Sequence, residues 1–178
     1  MVEKPNFFLF TGGPGVGKTT LIRHLAGLGE RVVEETHRAV IAEQVAAGSR
    51  AVPWDDHGAY CELSVKRDIA KFDALAGEEA RMFFDRGIPD GFDPRWTPPA
   101  ELLAAAQARR YNTRVFVFPP WREIYQTDQE RRQDWAEAEA TFDQVLGGLQ
   151  RFGYGAAIVP KGSVEARAAF VLEATAQA

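Results

Sequence analysis

Cysteine is almost missing from this chain: Cys61 is the only one in 178 residues. A lone thiol forms no internal disulfide and rules out a cysteine-rich zinc site, and it fits a reducing cytoplasm. Histidine is scarce too, and His24, His37 and His57 show no metal-ligand spacing with one another. No apolar run approaches the ~18 residues of a membrane helix, so no membrane partner is expected. The opening MVEKPN is too polar, and the FFLF after it too short, for a secretory signal. There is no Lys/Arg block, and the net charge is −4. That argues against a nucleic-acid surface while leaving room for a local phosphate pocket. Repeats, low-complexity tracts and linkers are also absent, so residues 1–178 are expected to form a single domain around one core.

What is present is an alternation of short apolar runs and amphipathic stretches. Asn6 to Thr11, Arg31 to Glu34, Arg81 to Asp85, Thr113 to Phe118 and Tyr154 to Val159 read as strands. Between them, helices are predicted from Lys18 to Leu28, from Thr36 as cap to Ala47, and from Ala59 to Leu75. Another is capped by Thr97, starts at Pro98 and runs to about Arg110. A long one runs from about Asp128 to Phe152, with Trp135, Ala138, Phe142, Leu146 and Leu149 on its buried face. Ser163 caps the last. Strands alternating with helices predict an α/β fold with a parallel sheet covered on both faces.

The glycines are concentrated where the first strand ends. FFLFTGGPGVGKTT fits G-x-x-x-x-G-K-[ST] over Gly12, Gly13, Pro14, Gly15, Val16, Gly17, Lys18 and Thr19, with Thr20 next. Glycines let the backbone wrap a phosphate with its N–H groups inward, and the helix behind turns its positive end to the same point. Lys18 can reach the β- and γ-phosphates, and the Thr19 hydroxyl can ligate Mg²⁺. The alternative is an ordinary glycine turn with a surface lysine. A strand before and a helix after favour binding of a nucleoside triphosphate, without fixing the fate of the bound nucleotide.

Such a loop needs an acidic partner near the metal. Asp85 ends the run MFF and can hold a Mg²⁺-bound water or orient an acceptor hydroxyl; Arg86, next to it, can bind a substrate anion or stabilise charge in transfer. A strand-end aspartate capping a turn at Gly87 is the bland alternative. Glu35 and Arg38, three apart after the second strand, can serve as base and anion holder for an acceptor, or simply as an exposed ion pair. Arg131 and Arg132 can close over the phosphates or form a solvated helix face. Trp54, Trp121 and Tyr125 can stack on a ring or pack.

FTGGPGVGKTTLI, RVVEETHRAVI, FFDRGIPD, VFVFPPWREIYQTDQERR and PKGSVEARAAFVL, in that order, resemble a family of small predicted ATPases described as AAA domain. That family is related to the kinase domain of NadR and more distantly to nucleoside and nucleotide kinases. The resemblance implies a P-loop three-layer sandwich with a five-stranded parallel sheet in the order 2-3-1-4-5, and a helical lid at about residues 120–135. It implies a phosphate loop at Gly12 to Thr19, a kinase-type pair at Asp85-Arg86, a base at Glu35, lid arginines at Arg131 and Arg132, and a base-packing loop from Pro160 to Ser163. ATP or GTP with Mg²⁺ is the implied donor, and a small molecule the acceptor. Asp85 is followed by arginine rather than the glutamate of motor ATPases, and the guanine-reading Asn-Lys-x-Asp is absent. A nucleotide-responsive regulator and a slow NTPase stand beside the kinase as readings.

Overall fold

The computed structural model describes residues 1–124 and 135–176. In chain order its elements are β1 (Val2–Glu3), β2 (Phe7–Gly12), α1 (Lys18–Gly27), β3 (Arg31–Val33), α2 (His37–Ala46), α3 (His57–Leu75), β4 (Met82–Asp85), a 3-10 turn (Ile88–Gly91), α4 (Ala100–Gln107), β5 (Arg109–Arg110), β6 (Arg114–Phe118), α5 (Trp135–Arg151), β7 (Gly155–Ile158) and α6 (Val164–Thr175). Five strands form one parallel sheet, β3-β4-β2-β6-β7. Counting only these five along the chain, the order is 2-3-1-4-5. Among the described residues no helix is long and apolar enough to cross a membrane.

β2 is the central strand, and every residue in it is buried. Its side chains alternate between two cores, as the period of a strand requires. Phe7 and Leu9 join Val65 and Phe72 of α3, Leu102 of α4 and Leu149 of α5. Phe8 and Phe10 join Leu21 and Leu25 of α1 and Val171 of α6. Each such side chain removed from water is worth about 1.5–3 kcal/mol, so this strand anchors both faces. The parallel register sets Phe10 beside Asp85 and Gly12 beside Phe118. The first glycine of the loop, the strand-end aspartate and the end of β6 are thereby brought to one edge.

Local chemistry explains where the elements start. Asp56 caps α3 by accepting from the Ala59 amide at 3.0 Å, so the helix starts at His57, two residues before the expected start. Ser163 caps α6 through the Ala166 amide, as expected. α4 begins at Ala100 rather than Pro98. A residue that precedes proline is kept out of the helical region, and both Thr97 and Pro98 precede one. The same helix stops at Gln107, because Arg109 and Arg110 pair with Val2 and Glu3 in a small parallel ladder. Thr36 stands at the N-terminus of α2, but its hydroxyl makes no capping bond.

Candidate active site

The phosphate loop leaves β2 at Gly12. There φ is 140°, and a Cβ would lie 2.6 Å from the Phe118 carbonyl oxygen. No L side chain fits that approach without moving β6. Gly17 opens α1 at φ 85° with no side-chain cap. The first amides of the helix are therefore left for an anion. Lys18 folds back into the loop and donates to the carbonyls of Gly12 (2.9 Å) and Gly13 (2.7 Å). It is buried, and burial, reinforced by repulsion from Arg86, pushes its amine down to about 7.

Asp85 stands opposite. It is 4% exposed, and its Oδ1 has no hydrogen-bond partner. Burial raises its pKa, with Lys18 pulling the other way. The Thr19 hydroxyl lies 3.5 Å from Asp85 Oδ2, a long contact. An orphaned carboxylate oxygen beside a hydroxyl is a hard-oxygen pair of the kind Mg²⁺ takes together with phosphate oxygens and water. Among the described residues no group of three or more His, Cys, Asp or Glu is placed to hold a metal. A P-loop site does not need one.

Arg86 comes next at φ 64°, the only non-glycine residue with positive φ among the described residues. Its amide donates to the Phe10 carbonyl at 2.9 Å, continuing the sheet. Its guanidinium bridges two carboxylates, Nε to Glu35 at 3.1 Å and one terminal nitrogen to Asp90 at 3.3 Å. Asp90 also accepts from the Thr11 hydroxyl and from the Gly87 amide. Beside this bridge opens a cavity of about 150 Å³, lined by Thr11, Arg86, Asp90, Phe92, Asp93 and, from α5, Thr141 and Gln144 among others. Thr141 also packs 3.7 Å from where a Cβ on Gly13 would be, so the cavity adjoins the loop.

Behind Glu35 lies a buried polar group. His37 Nδ1 contacts the Tyr60 hydroxyl at 3.3 Å. His37 Nε2 and Asp68 Oδ2 are 3.4 Å apart but misaligned, so neither satisfies the other. On the far face of the sheet, Val16, Phe118, Trp121, Pro160, Lys161 and Arg167 line a narrow cleft. Arg167 is 5% exposed, donates to the Gly17 carbonyl at 3.3 Å and stacks 5.5 Å over Trp121.

The structure brings together Gly12, Lys18, Thr19, Asp85, Arg86 and Glu35 at one edge of the sheet. Thr20 is exposed. Arg38 meets Glu35 at 3.4 Å, is 62% exposed and does not line the cavity. Trp54 is 70% exposed. Tyr125, Arg131, Arg132 and most of the expected lid lie outside the described residues. Sequence reading missed Thr11, Asp90, Asp93, Gln144 and Arg167. Asp90 was within reach, four residues after Arg86 in FFDRGIPD. Arg167 sits with Val164, Ala168 and Val171 on helical spacing, a charged residue on an apolar stripe.

The sequence profile of a family described as AAA domain matches residues 7–167. No curated protein matches the chain. Among solved structures, a shikimate kinase from Acinetobacter baumannii in complex with shikimate superposes with a TM-score of 0.53 at 19% identity, covering 97% of this chain and 93% of that one. An unliganded sugar kinase from a Janibacter species gives 0.51 at 13% identity, covering 94% and 92%. At such identities the likeness is one of fold.

Proposed function

This chain belongs to the AAA domain family, and on that premise we propose that it is a Mg²⁺-dependent kinase. In this reading it moves the γ-phosphate of ATP or GTP to a small hydroxyl-bearing molecule of nucleoside or nucleotide kind. Residues 1–178 act as one cytoplasmic unit with no nucleic-acid partner. The observation that carries the reading is the continuity of the site: the phosphate loop, Asp85-Arg86 and a ligand-sized cavity adjoin one another at one edge of the sheet. A nucleotide-only switch has no need of that cavity.

The loop amides from Gly13 to Thr20 hold the triphosphate. Lys18 leaves the Gly12 and Gly13 carbonyls for the β- and γ-phosphates. Thr19 and Asp85 would hold Mg²⁺, which when bound would offset the charge of the phosphate oxygens. Arg86 turns from its carboxylates toward the γ-phosphate and stabilises the charge that develops there. As arranged, Glu35 is one side chain removed from the cavity, and its work is to hold Arg86. Once Arg86 turns, Glu35 is released to accept the acceptor's proton. Arg38 steadies Glu35, and Arg131 and Arg132 supply cationic cover from the lid. The base lies beside the loop from Pro160 to Ser163, and Trp121 and Arg167 move apart to admit it, since the cleft between them has room for about one water.

The test is diphosphate release from ATP or GTP with Mg²⁺, with and without a panel of nucleosides, nucleotides and sugars, using Lys18→Ala as the blank. The expected result is one acceptor class that raises release well above the water rate. Tight nucleotide binding with no acceptor effect would overturn the kinase reading in favour of a nucleotide-responsive regulator.

A further inference from the structure

The cavity carries information about its occupant's charge. Its charged lining residues, among those described, are Arg86, Asp90 and Asp93. Arg86 is already shared between Glu35 and Asp90. The Asp90 side chain is 3% exposed and has its own donors in Thr11 and Gly87. Asp93 accepts from Arg95, whose hydrogen bonds hold its carboxyl down at about 2, and it lies 3.3 Å from His57. The described lining thus holds one guanidinium and two carboxylates, one of them hydrogen-bonded to it, with Glu35 as a third carboxylate behind.

Among the described residues, an anion brought into this space finds no unpaired cation in the lining and must draw Arg86 from partners it already has. A hydroxyl compound meets no such penalty. Asp93 can accept hydrogen bonds from its hydroxyls, Gln144 offers an amide donor and acceptor, and Phe92 and Val145 give apolar walls for a ring. The volume of about 150 Å³ is of the order that holds a single six-membered ring.

Resting on the kinase reading, we propose that the acceptor is an uncharged, ring-sized polyol, such as a sugar, a cyclitol or the sugar of a nucleoside, and that phosphate- or carboxylate-bearing counterparts are rejected. In the transfer, the bond from the γ-phosphorus to the bridging oxygen breaks and its electron pair leaves with the diphosphate. A bond forms from an acceptor oxygen to phosphorus, and the hydroxyl proton passes to a carboxylate and on to water.

The experiment uses the full chain with Mg²⁺ and ATP or GTP and matched acceptor pairs: glucose and glucuronate, ribose and ribose 5-phosphate, adenosine and AMP. Diphosphate release is monitored together with the phosphorus NMR signal of the new phosphomonoester. The expected result is a neutral member whose kcat/KM exceeds that of its anionic partner by at least about ten-fold. Asp93→Asn is expected to narrow that ratio several-fold by removing one wall charge. An anionic member preferred over its neutral partner overturns the inference and leaves the kinase reading standing. No member exceeding the Lys18→Ala blank overturns the kinase reading, and the inference with it. A ratio unchanged in Asp93→Asn overturns the electrostatic origin of the preference.

Discussion

Lys18 is asked to carry a charge that its empty surroundings disfavour. Its amine titrates near 7 in the folded chain because it is buried and faces Arg86, whereas in the unfolded chain it holds its proton to about 10.4. Between those values the unfolded state binds more protons, so this residue's contribution makes folding more favourable as pH rises through the window. A bound triphosphate reverses the preference. Nucleotide binding at about pH 8.5 is therefore expected to take up nearly one proton. Calorimetry in two buffers of unequal ionisation enthalpy checks it; heats that do not depend on the buffer would refute it. Asp85 has the complementary tension, since its carboxylate is buried with one oxygen unpartnered. Asp85→Asn is expected to stabilise the nucleotide-free chain by about 1–2 kcal/mol. The same change is expected to lower turnover about a hundred-fold with little effect on nucleotide affinity. Melting curves, kcat and Kd measured on one preparation decide it, and equal loss of both activities would remove Asp85 from the chemistry. Lys18 is legible in the sequence because the spacing of a phosphate loop is set by the phosphate, and Asp85 because it ends the apolar run MFF. The partners of Arg167, and the meeting of His37 with Asp68, are not, because only the packing of separate elements brings them together.

At the scale of elements, α3 and the 3-10 turn are in close contact at Gly91. A Cβ there would lie 2.4 Å from Val65 Cγ2. Gly91→Ala is expected to destabilise by about 1–3 kcal/mol through overpacking. It is also expected to displace the neighbouring Asp90, so that kcat falls. Adding Val65→Ala should recover most of both, which urea unfolding and turnover of the double variant would show. Ser163→Ala, at the other face, is expected to cost about 1 kcal/mol through its lost cap and to leave acceptor KM alone. The five sheet strands are legible in advance, since β2, β4 and β6 are buried and, like the more exposed edge strands β3 and β7, are short apolar runs between turn residues. β1 and β5 are not, because two residues have no period. The start of α4 is misplaced when the capping power of Thr97 is weighed above the restriction that each of two prolines puts on the residue before it.

At the scale of the whole molecule, a ligand that binds only the folded state adds stability by mass action. Mg²⁺ with nucleotide at a hundred times Kd is expected to add about 2.7 kcal/mol. A chelator should remove most of the gain if Thr19 and Asp85 hold the metal, and thermal melts with and without it test this. The overall architecture is legible because the alternation of strand and helix leaves few topologies. The cavity is not, because its walls come from β2, the turn after β4 and α5, and only their packing brings these together. The alternation of Phe7 and Leu9 against Phe8 and Phe10 also divides labour between the two faces. The cleft at Trp121 and Arg167 stands on the side of α1 and α6, and the cavity at Arg86 and Asp90 on the side of α3 and α5. On the kinase reading, changes that retailor the acceptor wall therefore fall in one core while the nucleotide grip rests on the other. On that same reading, such a scaffold exchanges the molecule it modifies without relearning how to hold its energy source, which makes it a natural starting point for directed evolution toward new alcohols.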